Sequence, residues 1–262
     1  MPDNNAPTSS ADAMPVAPDS VRVWRGYALD RTQMDAFHQA LGATFIPITP
    51  QVMGKLGLTA YLPAIVPGDA APSVPDEIAL VFYRSQADYQ QNANGTTAGR
   101  AYQKLHAGVF VLGPPKPGQP SSASTFPVLL KDACVSGQPY HLFPDSVDWY
   151  RGASDVFVGV FDGDGSKLAS AVLQAGNALQ NNRVAGFDGC ILVVVDNVLI
   201  YWRHWQSAAG ADAWNVGLPL RTVLATSARV VNVNPSEYAP YPGLSVQAGQ
   251  FLNVHFQRLS YA

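Results

Sequence analysis

Apolar and polar positions alternate in short runs through the first half of the chain, and these runs predict strands separated by helices. The predicted strands are residues 21–29, 58–66, 77–83 and 109–112. Helical spacing of apolar residues is clearest over residues 32–41, where Met34, Phe37 and Leu41 lie on one stripe. With the extra helical turns set aside, the order of elements is βαββαβ, which predicts a ferredoxin-like unit.

Residues that commonly cap helices stand before the helical segments of this half. Asp30 or Thr32 precedes the first helix, Ser85 precedes a later one, and Thr97 begins the helix that ends at His106. A side-chain oxygen at such a position accepts a hydrogen bond from an N–H group of the first turn, which has no partner within the helix. The sequence therefore predicts where these helices begin.

The pattern after residue 125 predicts mainly strands with one main helix. The predicted strands are residues 126–131, 155–161, 191–195, 198–202, 221–233 and 251–259. Ser166 is placed to cap a helix over residues 167–180, whose apolar stripe includes Leu168, Val172 and Leu179. We therefore predict an α+β protein with a ferredoxin-like N-terminal unit and a mainly β, sandwich-like C-terminal domain.

A segment rich in proline and small polar residues divides the chain. Residues 113–125 contain four prolines and a run of Ser, Ala and Thr, a composition that interrupts strands and helices. The predicted division is a disordered tail over residues 1–20, a ferredoxin-like domain over 21–112, a linker over 113–125 and an α+β domain over 126–262.

Composition and charge narrow the classes of function. The chain has 262 residues, 47% of them hydrophobic and only 13% charged, with a net charge of -3. It has no basic surface of the kind that binds nucleic acid, so no nucleic-acid partner is predicted. No apolar run is long enough to cross a bilayer, and residues 1–19 do not resemble a secretory signal. We expect a soluble protein, cytoplasmic or exported by a route that reads no such signal.

The most informative chemistry lies in a predicted hairpin. Gly189-Cys190 leads into residues 191–195, a polar turn follows at residues 196–197, and the returning strand reaches His204. A thiol beside an imidazole forms an activated nucleophile, so Cys190 and His204 are the candidate catalytic residues. Whether they meet depends on the register of the two strands, because neighbouring residues of a strand point to opposite faces.

Two registers remain open from the sequence. A two-residue turn pairs Val195 with Val198 and places Cys190 opposite Arg203, on the other face from His204. A three-residue loop, or a bulge, places Cys190 and His204 on one face. The first register excludes direct catalysis by the pair, and the second permits it.

The run Gly189-Cys190, strand, polar turn, aromatic-rich strand and His204 resembles the catalytic hairpin of the cytotoxic necrotizing factor and Burkholderia lethal factor deamidases. The resemblance covers residues 184–206. It implies that His204 takes the proton of Cys190, and that the thiolate attacks a glutamine side chain of a protein substrate and leaves glutamate after hydrolysis. It also implies an effector or toxin that needs no cofactor. The family's third element is a main-chain carbonyl, which has no side-chain signature.

The alternative is a non-catalytic binding or assembly protein in which Cys190 is a core residue, since free cysteine is among the most buried residue types. A bridge between Cys134 and Cys190 would also disable the nucleophile, although two free thiols are the expected state. His141 follows Cys134 closely enough for a second thiol–imidazole pair, and His255 lies in the last predicted strand. The five histidines show no metal-binding spacing, so no metal or cofactor is predicted.

Overall fold

A computed structural model describes residues 17–66, 70–116, 119–149, 153–161, 163–207, 209–210, 228–233 and 257–260. Over these residues the chain is an α+β protein with two β-sheets and few helices. The predicted tail over residues 1–20 lies largely outside the described residues, as do His255 and most of the strand predicted over residues 221–233. The division into domains stays a prediction.

The first sheet contains β1 (Val21–Gly26), β2 (Leu58–Ile65), β3 (Glu77–Tyr83) and β4 (Ala123–Thr125). The second contains β5 (Val128–Leu129), β6 (Pro139–His141), β7 (Ala153–Phe161), β8 (Phe187–Val195), β9 (Val198–Trp205), β10 (Ala228–Val233) and β11 (Gln257–Ser260). The α-helices are α1 (Met34–Ala40), α2 (Ile46–Met53), α3 (Gln86–Asp88), α4 (Thr97–His106) and α5 (Gly165–Asn181). One π-helical turn, Leu41–Phe45, joins α1 to α2, and another, Tyr89–Asn94, follows α3.

The two sheets repeat one arrangement of strands. In the first, the order is β2-β3-β1-β4 and every neighbouring pair is antiparallel. In the second, β8-β9-β7-β10 has the same order relative to the chain and the same antiparallel pairing. The strands β5, β6 and β11 extend the second sheet at its two edges. The described residues therefore contain the same strand arrangement twice.

The fourth strand of the first sheet lies inside the segment predicted as a linker. The predicted strand over residues 109–112 makes only a single bridge, between Phe110 and Ala28. Ala123–Thr125 instead pairs with β1. These three residues contain no proline and follow Pro120, so their N–H groups are available for the ladder.

Most of the predicted capping positions are confirmed, some with a shift of one or two residues. The Asp30 side chain accepts a bond from the N–H of Thr32 (2.9 Å), and Ser85 Oγ accepts one from the N–H of Asp88 (3.0 Å). Thr96 caps α4, which begins at Thr97 as predicted. At α5 the prediction of Ser166 is wrong, because Asp164 accepts the bond that the Ser166 N–H donates.

Three apolar clusters define the layers of the fold. One packs α1, α2 and α4 against the first sheet, and another packs α5 against the second. The third cluster combines residues of both sheets, including Val23 and Leu80 from the first and Val158 and Ile200 from the second. The sheets therefore pack face to face with helices outside them. Within the described residues, none of the helices has the length and apolar content that a bilayer span requires.

Candidate functional site

Cys190 and His204 point to opposite faces of the second sheet. Val195 pairs with Val198 across a two-residue turn, in which Asp196 adopts a positive φ of 51°, and Cys190 therefore pairs with Arg203. Cys190 is 2% exposed and packs in the apolar cluster beneath α5. The structure does not bring the two predicted catalytic residues together.

His204 projects toward the core between the two sheets. Its ring meets the Trp149 ring edge-on at a centroid distance of 5.5 Å, and its Nδ1 contacts Oδ1 of Asp188. A β-bulge is present, but it lies between Phe187 and Gly189, before Cys190 in the chain. It turns Asp188 toward the imidazole and leaves the register of Cys190 and His204 unchanged.

Neither cysteine forms a disulfide bond, as expected from the sequence. Cys134 is half-buried, and burial raises the pKa of its thiol to about 11. His141 hydrogen bonds through Nδ1 with the carbonyl of Phe143 (2.9 Å). No hydrogen bond links Cys134 to His141 in the described part of the chain, so the second thiol–imidazole pair is not formed.

A cavity of about 320 Å³ lies in the first half, between the first sheet and its helices. Its floor comes from the helix-facing side of β1 and β3, and its walls come from α2, α4 and the π-helical turn Tyr89–Asn94. The opposite side of the same strands packs into the core between the sheets, since Val21 and Val23 alternate with Arg22 and Trp24. Its volume lies within the usual range for small-molecule sites.

Glu77 stands in the floor of this cavity and is 2% exposed. Its Oε2 accepts a hydrogen bond from Trp24 Nε1 (2.8 Å), and its Oε1 accepts one from the Tyr61 hydroxyl. Burial raises the pKa of this carboxyl, while the two hydrogen bonds act in the opposite direction. Among the described residues, no cationic side chain forms an ion pair with it. A buried carboxyl of this kind has the properties of an acid–base group.

His106 forms part of the opposite wall. Its Nδ1 lies 3.1 Å from the carbonyl oxygen of Tyr102, which can only accept, so Nδ1 carries the proton in this bond. Burial lowers the pKa of the imidazole, and the bonds to the backbone oppose that shift. The neutral ring therefore presents an unprotonated Nε2. Its ring meets Trp24 edge-on at 5.5 Å, which places it beside the partner of Glu77.

The hydroxyl of Tyr102 hydrogen bonds with Thr49 Oγ1, which also donates to the carbonyl of Phe45 (2.6 Å). This chain of bonds ties α4 to α2 across the wall of the cavity. Burial raises the pKa of Tyr102, so its hydroxyl stays protonated near neutral pH.

Arg22 stands at the other end of the floor from Glu77. Its guanidinium lies 3.6 Å from the centroid of the Tyr89 ring, and Nη2 donates to the carbonyl of Ser124 (2.9 Å). The mouth of the cavity is polar on one side, where Gln103 donates to Asn94 (2.9 Å).

On the corresponding side of the second sheet, β7 and β9 carry apolar residues that pack against α5. Phe157 of β7 and Leu199 and Tyr201 of β9 pack with α5 in one apolar cluster. By strand order these two strands match β1 and β3, whose helix-facing side carries Arg22, Trp24 and Glu77. Phe157, Leu199 and Tyr201 therefore lie where the floor of the first-half cavity has Arg22, Trp24 and Glu77.

Sequence reasoning missed this cavity. It placed His106 only at a helix end and did not single out Glu77, Trp24 or Arg22. A usable signal was present in β1, where Arg22 and Trp24 alternate with Val21 and Val23. Such alternation indicates that one face of the strand is not buried in the apolar core. Among the described residues, no group of three or more His, Cys, Asp or Glu side chains is placed to hold a metal ion.

Comparisons with known proteins give structural similarity only. No family model matches the chain, and no curated protein matches it. A candidate monooxygenase from Fusobacterium nucleatum is 8% identical with a TM-score of 0.39, covering 82% of this chain and 89% of its own. A candidate monooxygenase from Lactobacillus acidophilus is 7% identical with a TM-score of 0.35, covering 91% of this chain and 98% of its own. An anthrone oxidase-like protein is 13% identical with a TM-score of 0.36, covering 84% of this chain and 93% of its own. Similarity at this level assigns no activity to the chain.

The prediction of a glutamine deamidase, and with it that of a hydrolase acting as a toxin or effector, is wrong. The two residues on which it depended face opposite sides of a sheet. The alternative placement of Cys190, in the core, is confirmed. A protein substrate stays an untested prediction.

Proposed function

We propose that the chain binds a small, largely apolar organic molecule in the cavity of its first half and exchanges a proton with it through Glu77. The observation that carries this proposal is the buried carboxyl of Glu77, held by Trp24 and Tyr61 in the floor of the cavity. Burying a carboxyl without a cation costs stability, so a fold retains one more readily where it performs chemistry.

The residues around Glu77 fit general acid–base chemistry. In the ionised state, its carboxylate takes a proton from an acidic C–H or O–H bond of the ligand, and the electron pair of that bond stays on the ligand. Burial raises the pKa of the carboxyl, so its carboxylate is a stronger base than that of an exposed glutamate. His106 Nε2 lines the same space and supplies an acceptor for a polar group of the ligand. The Tyr102 hydroxyl donates its proton to Thr49 Oγ1, so its oxygen can only accept a further bond.

The finer fold assignment is part of this proposal. We infer that the first half is a ferredoxin-like unit, and the strand order β2-β3-β1-β4 with antiparallel neighbours supports it. In such a unit the helices cover one face of the sheet, and the cavity between these two layers is lined by Glu77 and His106 among others.

Exchange of a C–H proton for deuterium tests the proposed chemistry. The ketone 2-tetralone is small, mostly aromatic and carries acidic C–H bonds, and NMR in D₂O follows the loss of its C–H signals. The full chain should accelerate this exchange over buffer, and Glu77→Gln should reduce the acceleration about a hundredfold or more. Asp35→Asn removes an exposed carboxylate outside the cavity and should exchange like the unmodified protein. Equal rates for Glu77→Gln and the unmodified chain would show that Glu77 is not the proton acceptor.

A further inference from the structure

The end of the cavity opposite Glu77 has the features of an anion site. Arg22 lies on β1, and its guanidinium is clamped between the Tyr89 ring and the carbonyl of Ser124. The Phe126 ring lies 5.4 Å from the same guanidinium. These contacts hold the planar guanidinium in one orientation. Without them, the long and flexible arginine side chain would adopt several orientations.

The charge of Arg22 is not matched by a carboxylate within the described part of the chain. No Asp or Glu side chain there forms an ion pair with it, and its Nε is shielded from solvent with no acceptor. Burial lowers the pKa of the guanidinium, and the contacts that oppose the shift come from tyrosines rather than from carboxylates. Partial burial of a cation without an anion costs stability, which a bound anion would offset.

Strand register gives the separation of the two ends. Glu77 pairs with Gly26, whereas Arg22 pairs with Val81, so the two side chains stand four residues apart along the ladder. Four residues of strand span roughly 13 Å. Trp24 lies between them on the same face, since it pairs with Ala79. Hydrogen bonds at both ends would take up part of this length, which leaves room for an aromatic ring system with one polar group at each end.

The walls between the two ends are aromatic. Tyr83 and Tyr89 meet edge-on at 4.9 Å, and Phe45 meets His106 edge-on at 5.1 Å. Flat faces and ring edges of this kind contact a planar ligand over a large area, whereas a flexible aliphatic chain would lose more conformational freedom on binding.

We propose that the ligand is a planar aromatic acid whose anionic group binds to Arg22 and whose opposite end reaches Glu77. This inference rests on the proposed function, since it takes the same cavity as the site. Arg22 then determines specificity by charge, and Glu77 acts on the far end of the ring system.

Matched acid and amide ligands test the inference. The probes are 6-hydroxy-2-naphthoate and 6-hydroxy-2-naphthamide, which share one ring system and differ in charge at one end. Fluorescence titration of the full chain should give at least about tenfold tighter binding of the acid. Arg22→Gln should bind both probes equally, while Arg22→Lys, which keeps the charge without the planar contact with Tyr89, should retain part of the preference.

The outcomes separate the two proposals. Equal binding of both probes by the unmodified chain would overturn the role of Arg22 and leave the cavity as a small-molecule site. Failure of both probes to bind at millimolar concentration would count against an aromatic acid as ligand, and the 2-tetralone exchange would then decide the proposed function by itself. Circular dichroism of each variant shows whether it is folded. If Arg22→Gln is not folded, the preference of Arg22→Lys for the acid over the amide tests the role of Arg22.

Discussion

Glu77 accepts a hydrogen bond of 2.8 Å from the indole Nε1 of Trp24, which lies diagonally across from it on the neighbouring strand. The bond joins the one buried glutamate of the described residues to the aromatic floor of the cavity. The two residues are 53 positions apart in sequence, so only the pairing of β1 with β3 brings them together. This relationship decides what a change at Glu77 does to the folded protein.

Glu77→Gln should stabilise the protein at alkaline pH and leave its stability at pH 4 nearly unchanged. Burial raises the pKa of Glu77 above its unfolded value of 4.5, so the folded state holds this proton more tightly. The protonated carboxyl of Glu77 therefore contributes its full stabilisation below pH 4.5, and this contribution is lost as pH rises through the folded pKa. Glutamine carries no charge and avoids this loss, with a gain on the order of 1–3 kcal/mol at pH 8.

Urea unfolding followed by circular dichroism at several pH values from 4 to 8 measures this difference. Glu77→Ala is the contrasting variant, because it leaves Trp24 Nε1 and the Tyr61 hydroxyl without their acceptor. It should lose about 2–5 kcal/mol at pH 4, and this deficit should become smaller toward pH 8 because alanine does not titrate either. Parallel curves for Glu77→Gln and the unmodified protein would contradict the raised pKa.

Gly99→Ala should destabilise the protein, although Ala usually favours a helix over Gly by about 1 kcal/mol. A Cβ at Gly99 would lie 1.7 Å from the carbonyl oxygen of Ala93, which is backbone and cannot rotate away. Helix α4 would have to move, with an expected cost of about 1–3 kcal/mol. Because α4 carries Tyr102 and His106, binding of aromatic ligands should weaken as well.

Gly108→Ala is the matched control for this prediction. Its Cβ would meet only the carbonyl oxygen of Leu105, at an ordinary distance of 3.6 Å. The free energy of unfolding should change by less than about 0.5 kcal/mol. Thermal and urea unfolding of both variants measure the contrast, and equal effects would show that the close approach of Gly99 to Ala93 does not constrain α4.

Local signals in the sequence were sufficient for much of the first half. Asp30 and Ser85 could be assigned as caps because a capping side chain bonds to an N–H group only two or three residues away. The α+β class followed from similar short-range periodicity. The fourth strand was misplaced, because Ala123–Thr125 forms a strand only through pairing with the distant β1. The repeated strand order was also not visible, since it is a property of pairing and not of residue identity.

The candidate site depended on information of a different kind. For Cys190 and His204, the sequence reduced the question to the length of one turn, and Val195 pairing with Val198 answered it against catalysis. For Glu77, no neighbouring residue in the sequence indicates a role. Its two hydrogen-bond partners come from β1 and β2, and its burial comes from helices packed over the sheet. Such contacts between distant segments leave no short motif.

Neither cysteine should react rapidly with iodoacetamide at pH 7 in the folded protein. Cys190 is 2% exposed and packs among apolar side chains, so the reagent cannot reach it without opening of the fold. Cys134 is accessible in part, but its pKa of about 11 leaves little thiolate at neutral pH. Intact-mass measurement should show slow addition at Cys134 first, and two rapid additions in urea. Rapid labelling of Cys190 in the folded chain would contradict its placement in the core.

Cys190→Ser should destabilise the protein by about 1–3 kcal/mol, because it places a hydroxyl in the apolar cluster beneath α5. Cys190→Ala removes the sulfur without adding a polar group and should cost about 1 kcal/mol. Chemical unfolding of the two variants gives the comparison. Both should keep the 2-tetralone exchange activity, since Cys190 lies in the second half, outside the cavity. Loss of exchange in a folded Cys190→Ala variant would reopen a catalytic role for the thiol.

The imidazole of His106 should titrate below its unfolded pKa of 6.5, because burial lowers the pKa of the ring. The folded state then binds this proton less readily than the unfolded chain. The stability that depends on it is present above pH 6.5 and is lost as pH falls through the folded pKa. His106→Gln keeps a donor for the Tyr102 carbonyl but does not titrate. The unmodified protein loses stability as pH falls, so the difference in unfolding free energy between it and His106→Gln should become smaller from pH 7.5 to pH 5. NMR titration of the ring protons measures the pKa directly, with the urea-unfolded chain as reference. A midpoint above 6.5 would mean that the wall of the cavity holds a cation instead of the neutral acceptor inferred for ligand binding.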